Sequence, residues 1–109
     1  MKYIFPNLNI LYNLAIEKYG IQNQLVVVME ELSELIKECS KLYRNLTFYQ
    51  TFNIENMIIE IIDVSISTDI LKCYLKSEYN QIALNKMFSD KYEYKINRFK
   101  KRIKNNTLF

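Results

Sequence analysis

Four stretches of the chain repeat apolar residues at helical spacing. Leu8, Leu11, Tyr12, Ala15, Ile16 and Tyr19 recur every three or four positions, which predicts a helix over Asn7 to Tyr19 with Gly20 at its C′ position. The stripe Leu25, Val28, Met29, Leu32, Leu35, Ile36, Cys39 and Leu42 predicts a second helix from Gln22 to about Tyr43, with Glu31, Glu34 and Glu38 along its flank. Arg44 to about Asn53 breaks the period and reads as a loop that carries Phe48, Tyr49 and Phe52. Ile54 to about Leu75 is apolar on nearly every side, from Met57 through Ile61, Ile62 and Ile66 to Leu75. A helix apolar all round is expected to be buried all round, and so small a chain has little with which to cover it, so one face is expected to meet another subunit. A last helix is expected from about Glu78 to Lys104, with Ser77 as N-cap and a break near Ser89-Asp90, followed by a frayed tail from Asn105 to Phe109.

Composition sharpens this reading. One Gly and one Pro in 109 residues leave few tight turns and favour long helices over many short strands. The length fits one domain with a modest core, which gains from oligomerisation. The wealth of Ile, Asn, Lys and Tyr reads as the nucleotide bias of an AT-rich genome, bacterial or phage. Met1 to Pro6 does not have the form of a signal peptide, and the apolar run from Met57 is interrupted by Glu60 and Asp63 before it could span a membrane. Cys39 and Cys73 lack metal-ligand spacing and read as small buried hydrophobes of a reduced cytoplasm.

Histidine is absent, which excludes a Ser-His-Asp triad, a Cys-His pair, a His-containing zinc site and a ferritin-like di-iron site. Acid–base chemistry is left to carboxylates, Lys, Tyr or bound water. The net charge of +3 conceals a basic C-terminal end, where Lys95, Arg98 and Arg102 share one helix face at i, i+3 and i+7. Such a face attracts phosphate, free or in nucleic acid, and also fits a plainly solvated surface.

Two acidic pairs stand out. Glu31 and Glu34 on the second helix, and Glu60 and Asp63 on the third, are each spaced i, i+3, so each pair projects from one side of its helix. If the two helices face each other, four carboxylates converge, and such a cluster does not stay ionised in a partly dry place without a cation. An oxygen-only ligand set suits Mg²⁺ or Mn²⁺, and Mg²⁺ usually accompanies a phosphate substrate. Taken singly, Glu31 and Glu34 also fit a solvated flank, and Glu60 and Asp63 an ion pair with Lys or Arg of the last helix.

Gly20-x-x-x-Gln24-Leu25, Glu30-Glu31-x-x-Glu34-Leu35 and Glu60-x-x-Asp63-Val64, in that order, resemble the MazG-like family of all-α nucleotide pyrophosphohydrolases, whose hallmark is EExxE followed by ExxD. The ending Lys95-Ile96-Asn97-Arg98 to Arg102 resembles the basic ending of its short members, so the resemblance runs from Gly20 to Ile103. It implies an all-α, four-helix bundle-like architecture, assembled as a homodimer or homotetramer. It also implies Mg²⁺-dependent cleavage of a nucleoside triphosphate between its α and β phosphates. The family's metal ligands carry over onto Glu31, Glu34, Glu60 and Asp63; Glu30 takes the first place of the motif, beside the ligands or in contact with water. Ile59 stands where the family often has a further acidic residue. On this reading Glu34 accepts the proton of the attacking water and Lys95, Arg98 and Arg102 grip the leaving pyrophosphate. The base stacks among candidates such as Phe5, Tyr12 and the loop aromatics. The alternatives are a helical nucleic-acid-binding module working through the basic last helix, and a catalytically silent nucleotide-binding relative.

Overall fold

The computed structural model describes residues 7–49 and 51–105. It contains four α-helices: α1 (Leu8–Tyr19), α2 (Ile21–Phe48), α3 (Ile54–Glu78) and α4 (Gln81–Lys104), with no strand among the described residues. The all-α class is therefore observed. The chain divides into two compact units, Met1–Tyr74 and Leu75–Phe109. The first holds α1, α2 and most of α3; the second holds α4.

The helix ends follow from short polar side chains and a single glycine. Asn7 Oδ1 accepts from the Asn9 N–H at 3.0 Å and caps α1. Gly20 both closes α1 and opens α2: its N–H donates to the Ile16 carbonyl at 2.8 Å, and its own carbonyl accepts from Gln24 at 3.1 Å. With φ 81° and ψ 151°, Gly20 occupies a region essentially restricted to glycine. A Cβ there would meet nothing within 4 Å, so the cost of any side chain lies in the backbone alone. Gly20→Ala is expected to destabilise the fold by about 1–3 kcal/mol, read as a lower denaturant midpoint at unchanged slope.

Two boundaries differ from expectation. α2 continues through Arg44 to Phe48 and ends only at Tyr49, which takes left-handed φ 55° and donates its N–H to the Asn45 carbonyl at 2.9 Å. Asn45 and Thr47 are only mildly unfavourable in a helix, and Asn45 prolongs the inward stripe one step beyond Leu42. Likewise Ser77 lies inside α3, and the cap of α4 is Asn80, whose Oδ1 accepts from Ala83 N–H at 3.0 Å. α4 runs unbroken through Ser89 and Asp90, and Lys101, Arg102 and Lys104 in its last turn complement the partial negative charge of the helix end. Asn53 Oδ1 starts α3 by accepting from the N–H groups of Glu55 (3.0 Å) and Asn56 (3.4 Å). Residues 106–109 of the expected tail, and Phe5, lie outside the described residues.

Within the first unit α3 runs back along α2. The middle of α2 meets α3 at Glu31, Glu60 and Asp63, while Glu38 and Arg44, further along α2, border a cavity with Phe52 and Asn56 at the start of α3. α1 lies beside the later part of α3: Cys73 Sγ is 3.3 Å from Asn13 Oδ1, and Leu11, Ala15 and Tyr19 line an apolar hollow with Ile66 and Ile70. Tyr12, half-buried, belongs to that hollow.

The inward stripe of α2 has an unusual make-up. Apart from Val27, its least exposed residues are Ile21, Gln24, Val28, Glu31, Leu35, Glu38, Leu42 and Asn45, which alternate apolar and polar at steps of three and four. On α3, Met57, Glu60, Val64, Ser67 and Leu71 follow the same steps within a broader half-buried set that also includes Asp63 and, towards the end of the helix, Thr68, Asp69 and Ile70. Among the described residues only Gln24, Val28, Glu38 and Ser67 are buried, at 4–8% exposure, and three of these four are polar. Ser67 satisfies its hydroxyl by donating to the Val64 carbonyl at 3.1 Å. The isoleucines expected to be buried are not: Ile58, Ile59, Ile61 and Ile62 are each about half exposed, between 48% and 52%. The seam with α2 engages the side of α3 that carries Glu60 and Asp63, and these four isoleucines lie off it. Cys39, also expected to be buried, is exposed, because it lies one position past the inward Glu38; Cys73 is half-buried and both thiols are free.

Candidate metal centre

The three-and-four spacing places Glu31 at a polar step of the α2 stripe, and the i, i+3 spacing of Glu60 and Asp63 turns both towards it from α3. One carboxylate oxygen from each of Glu31, Glu60 and Asp63 lies within 4.8 Å of the others. All three residues are half-buried. Glu60 Oε2 is shut off from solvent and has no hydrogen-bond partner.

The electrostatics of the group are those of like charges crowded together. Burial pushes the Glu31 carboxyl above its ordinary value, the charges of Asp63 and then Glu60 push further in the same direction, and hydrogen bonding to both favours the protonated form. Each of these influences works in the same direction.

Three carboxylates on two helices, an oxygen-only donor set, fit a divalent cation of the Mg²⁺ or Mn²⁺ kind. Oxygens that all lie within 4.8 Å of one another can converge on a common ion at the usual Mg–O distance of about 2.0–2.1 Å by rotamer adjustment.

The other sequence candidates lie elsewhere. Glu34 is about half exposed, and its Oε1 pairs with Lys37 Nζ at 3.0 Å, outside the three-carboxylate group. Glu30 is exposed. On α4, Lys95, Arg98 and Arg102 gather with Phe99 around a hollow of 260 Å³, so their expected common face is realised. Of the expected loop aromatics, Phe48 and Tyr49 are exposed, whereas Phe52 is half-buried against the cavity beside Glu38.

Among the acids of α2, Glu38 departs from expectation. It was expected on the flank of α2; it is buried, with Oε1 paired to Lys41 Nζ at 3.0 Å and Oε2 unpartnered. The signal was present in the chain: Gln24, Glu31 and Glu38 follow one another at intervals of seven, two helical turns less 20°, so whatever face holds one holds all three.

No helix among the described residues is long and apolar enough to cross a membrane. Comparison of the chain with protein-family models, with curated proteins and with solved structures returns no match.

Proposed function

We propose that this protein is a divalent-cation-dependent nucleoside triphosphate pyrophosphohydrolase of MazG-like type, releasing a nucleoside monophosphate and pyrophosphate. The observation that carries the reading is the meeting of Glu31, Glu60 and Asp63 across α2 and α3, with Glu60 Oε2 buried and undonated. Three like charges in so confined a place are unfavourable for folding alone, and a ligand of opposite charge accounts for them.

In this reading Glu31, Glu60 and Asp63 hold the ion. A divalent ion bound there neutralises polyphosphate charge and makes water more acidic. The protein's own part is to position the carboxylates on rigid helices and to keep one side of the site dry. Glu34, one turn from Glu31, serves as a further ligand or as acceptor of the water proton, leaving its surface pair with Lys37 to do so. Glu30 contacts water beside the ligands. Lys95, Arg98 and Arg102 are assigned to phosphate, supported by their shared face on α4. The half-exposed isoleucines of α3 support assembly as a homodimer or homotetramer, and a cytoplasmic setting accompanies the same reading.

The test is to incubate the purified protein with each common nucleoside triphosphate and Mg²⁺ and to follow pyrophosphate. Release is expected with at least one of them and is expected to stop on chelation of the ion. The clustering of three cations on α4 favours one rival, nucleic-acid binding through that helix. That rival predicts affinity that falls steeply with salt and persists without Mg²⁺. Binding of that kind with no pyrophosphate from any triphosphate would overturn the hydrolase.

A further inference from the structure

The outer side of α2 carries a pattern that the hydrolase chemistry does not use. From Gln24 onwards, each residue of the inward stripe is followed directly by an apolar or aromatic one: Leu25, Met29, Leu32, Ile36, Cys39 and Tyr43. These advance by alternate steps of four and three, and the next step of three reaches Leu46. Alternate steps of three and four, kept for three heptads, are the repeat of a coiled-coil seam. The large side chains of this row are between 40% and 71% exposed, and Cys39 is exposed as well. The row therefore lies open along its whole length.

Its size and flanks restrict what can cover it. From Leu25 to Leu46 the row runs about 31 Å, and with a helix about 10 Å wide it makes a strip of roughly 300 Å², the scale at which an exposed apolar patch marks an interaction site. Helices that lie on membranes border their apolar face with Lys and Arg. Here Ser33 and Ser40 border it, with Glu30 and Lys37 beyond them. A heptad row is complementary to another heptad row, and a second copy of α2 supplies one. Charge sets the direction. The exposed charges of α2 are divided along it: Glu30 and Glu34 lie in its first half, and Lys37, Lys41 and Arg44 in its second. Two parallel copies would set like against like, whereas antiparallel copies bring each acidic half to a basic one.

Register follows from overlap. A twofold axis at the level of Glu34 overlaps almost all of Ile21–Phe48 with its copy, and it sets Leu32 opposite Ile36, Met29 opposite Cys39 and Leu25 opposite Tyr43 of the second copy. Sliding the pair by one heptad towards the C-terminal end leaves the first turn of each helix unpaired and brings the two Lys37 side chains together. We infer that the outer face of α2 is where a second copy of this chain docks, antiparallel, through the row from Leu25 to Tyr43. The contact uses neither the isoleucines of α3 nor the acid site, so it stands apart from the hydrolase reading.

Disulfide trapping in the full chain tests face, direction and register together. Cys73→Ser leaves Cys39 as the one thiol of the chain. Adding Met29→Cys to it is expected to give, on mild oxidation, a covalent dimer joined between positions 29 and 39, identified by mass spectrometry. Within one helix these positions are about 15 Å apart, too far for a disulfide, so the bond reports the second copy. Cys73→Ser alone is expected to stay unlinked, because the antiparallel register also holds the two Cys39 residues about 15 Å apart. Ile36→Lys changes a side chain that is already 66% exposed, and helicity by circular dichroism checks that it folds. It is expected to weaken self-association at least about a hundredfold by sedimentation equilibrium, since each dimer loses two such side chains from the seam. A bond between two Cys39 residues overturns the inference, because it reports parallel helices. So does the absence of a 29–39 bond, an unchanged association constant in Ile36→Lys, or a parent chain that is monomeric at about 0.1 mM. Pyrophosphate assays score the hydrolase separately.

Discussion

Asp63→Asn is expected to slow pyrophosphate release about 10³-fold while the helical fold stays intact. The substitution keeps the shape of the side chain and removes one charge from a set of three carboxylates. If the ion contributes several kcal/mol to stabilising charge in the transition state, losing about 4 kcal/mol of that gives the stated factor. Stability in the absence of metal should not fall, because the change removes a like charge that raises the pKa of Glu31. Circular dichroism and a melting curve provide the control. Glu34→Gln is expected to lose activity too: an exposed i, i+3 pair such as that with Lys37 is worth about 0.3–0.5 kcal/mol and yields readily to a divalent ion. Lys37→Ala should stay within about twofold of the parent. A parent-like rate in Asp63→Asn would remove the proposed centre, whereas a parent-like rate in Glu34→Gln alone would restrict the ligands to Glu31, Glu60 and Asp63.

The second large effect is on stability, and it links pH to metal. Glu31 in the folded chain holds its proton above the ordinary value of 4.5, so the native state binds that proton more tightly than the unfolded chain does. The contribution is therefore fully present below about 4.5 and is lost as pH rises through the raised value. Metal-free protein should accordingly lose stability from mildly acidic towards neutral pH at this site. A divalent ion takes the place of the proton and reverses the trend. At a concentration of 100 times its Kd it adds about 2.7 kcal/mol, or roughly 10 °C in Tm for a chain of this size. The gain should shrink on acidification, because proton and ion compete for the same oxygens. Melting curves with Mg²⁺ and with chelator, taken between pH 4 and 8, test this. An equal Mg²⁺ gain in Glu31→Gln would show that the ion acts elsewhere.

Much of the fold could be read from the chain because its helices carry strong local signals. The first helix is marked by its three-and-four apolar spacing and by Gly20, whose observed φ of 81° is the conformation that makes glycine necessary there. The end of α2 was harder to read, since Asn45 and Thr47 suit a loop by type, yet Asn45 sits in register with the inward stripe. Ser77 and Asn80 are both good caps, and the choice between them depends on where α3 stops, which local sequence does not specify. α3 conceals its inward face altogether: isoleucines all round give no direction, and only the polar residues Glu60, Asp63 and Ser67 mark the side that meets α2. Of the site, Glu31, Glu60 and Asp63 were visible as spaced acids. Glu38 was not, because an acid beside an apolar stripe is normally solvated, and its burial depends on α3 and Asn53 closing over it.

The alternation of greasy and polar rungs along the inner edge of α2 carries an evolutionary consequence. Filling the rungs at Gln24, Glu31 and Glu38 with leucine would turn the seam into an ordinary zipper, since well-packed aliphatic side chains commonly outperform buried charge as mortar. Selection for heat resistance alone would thus push this lineage towards a sturdier and inert protein. The persistence of polar side chains at these rungs would measure how strongly something other than robustness is being selected.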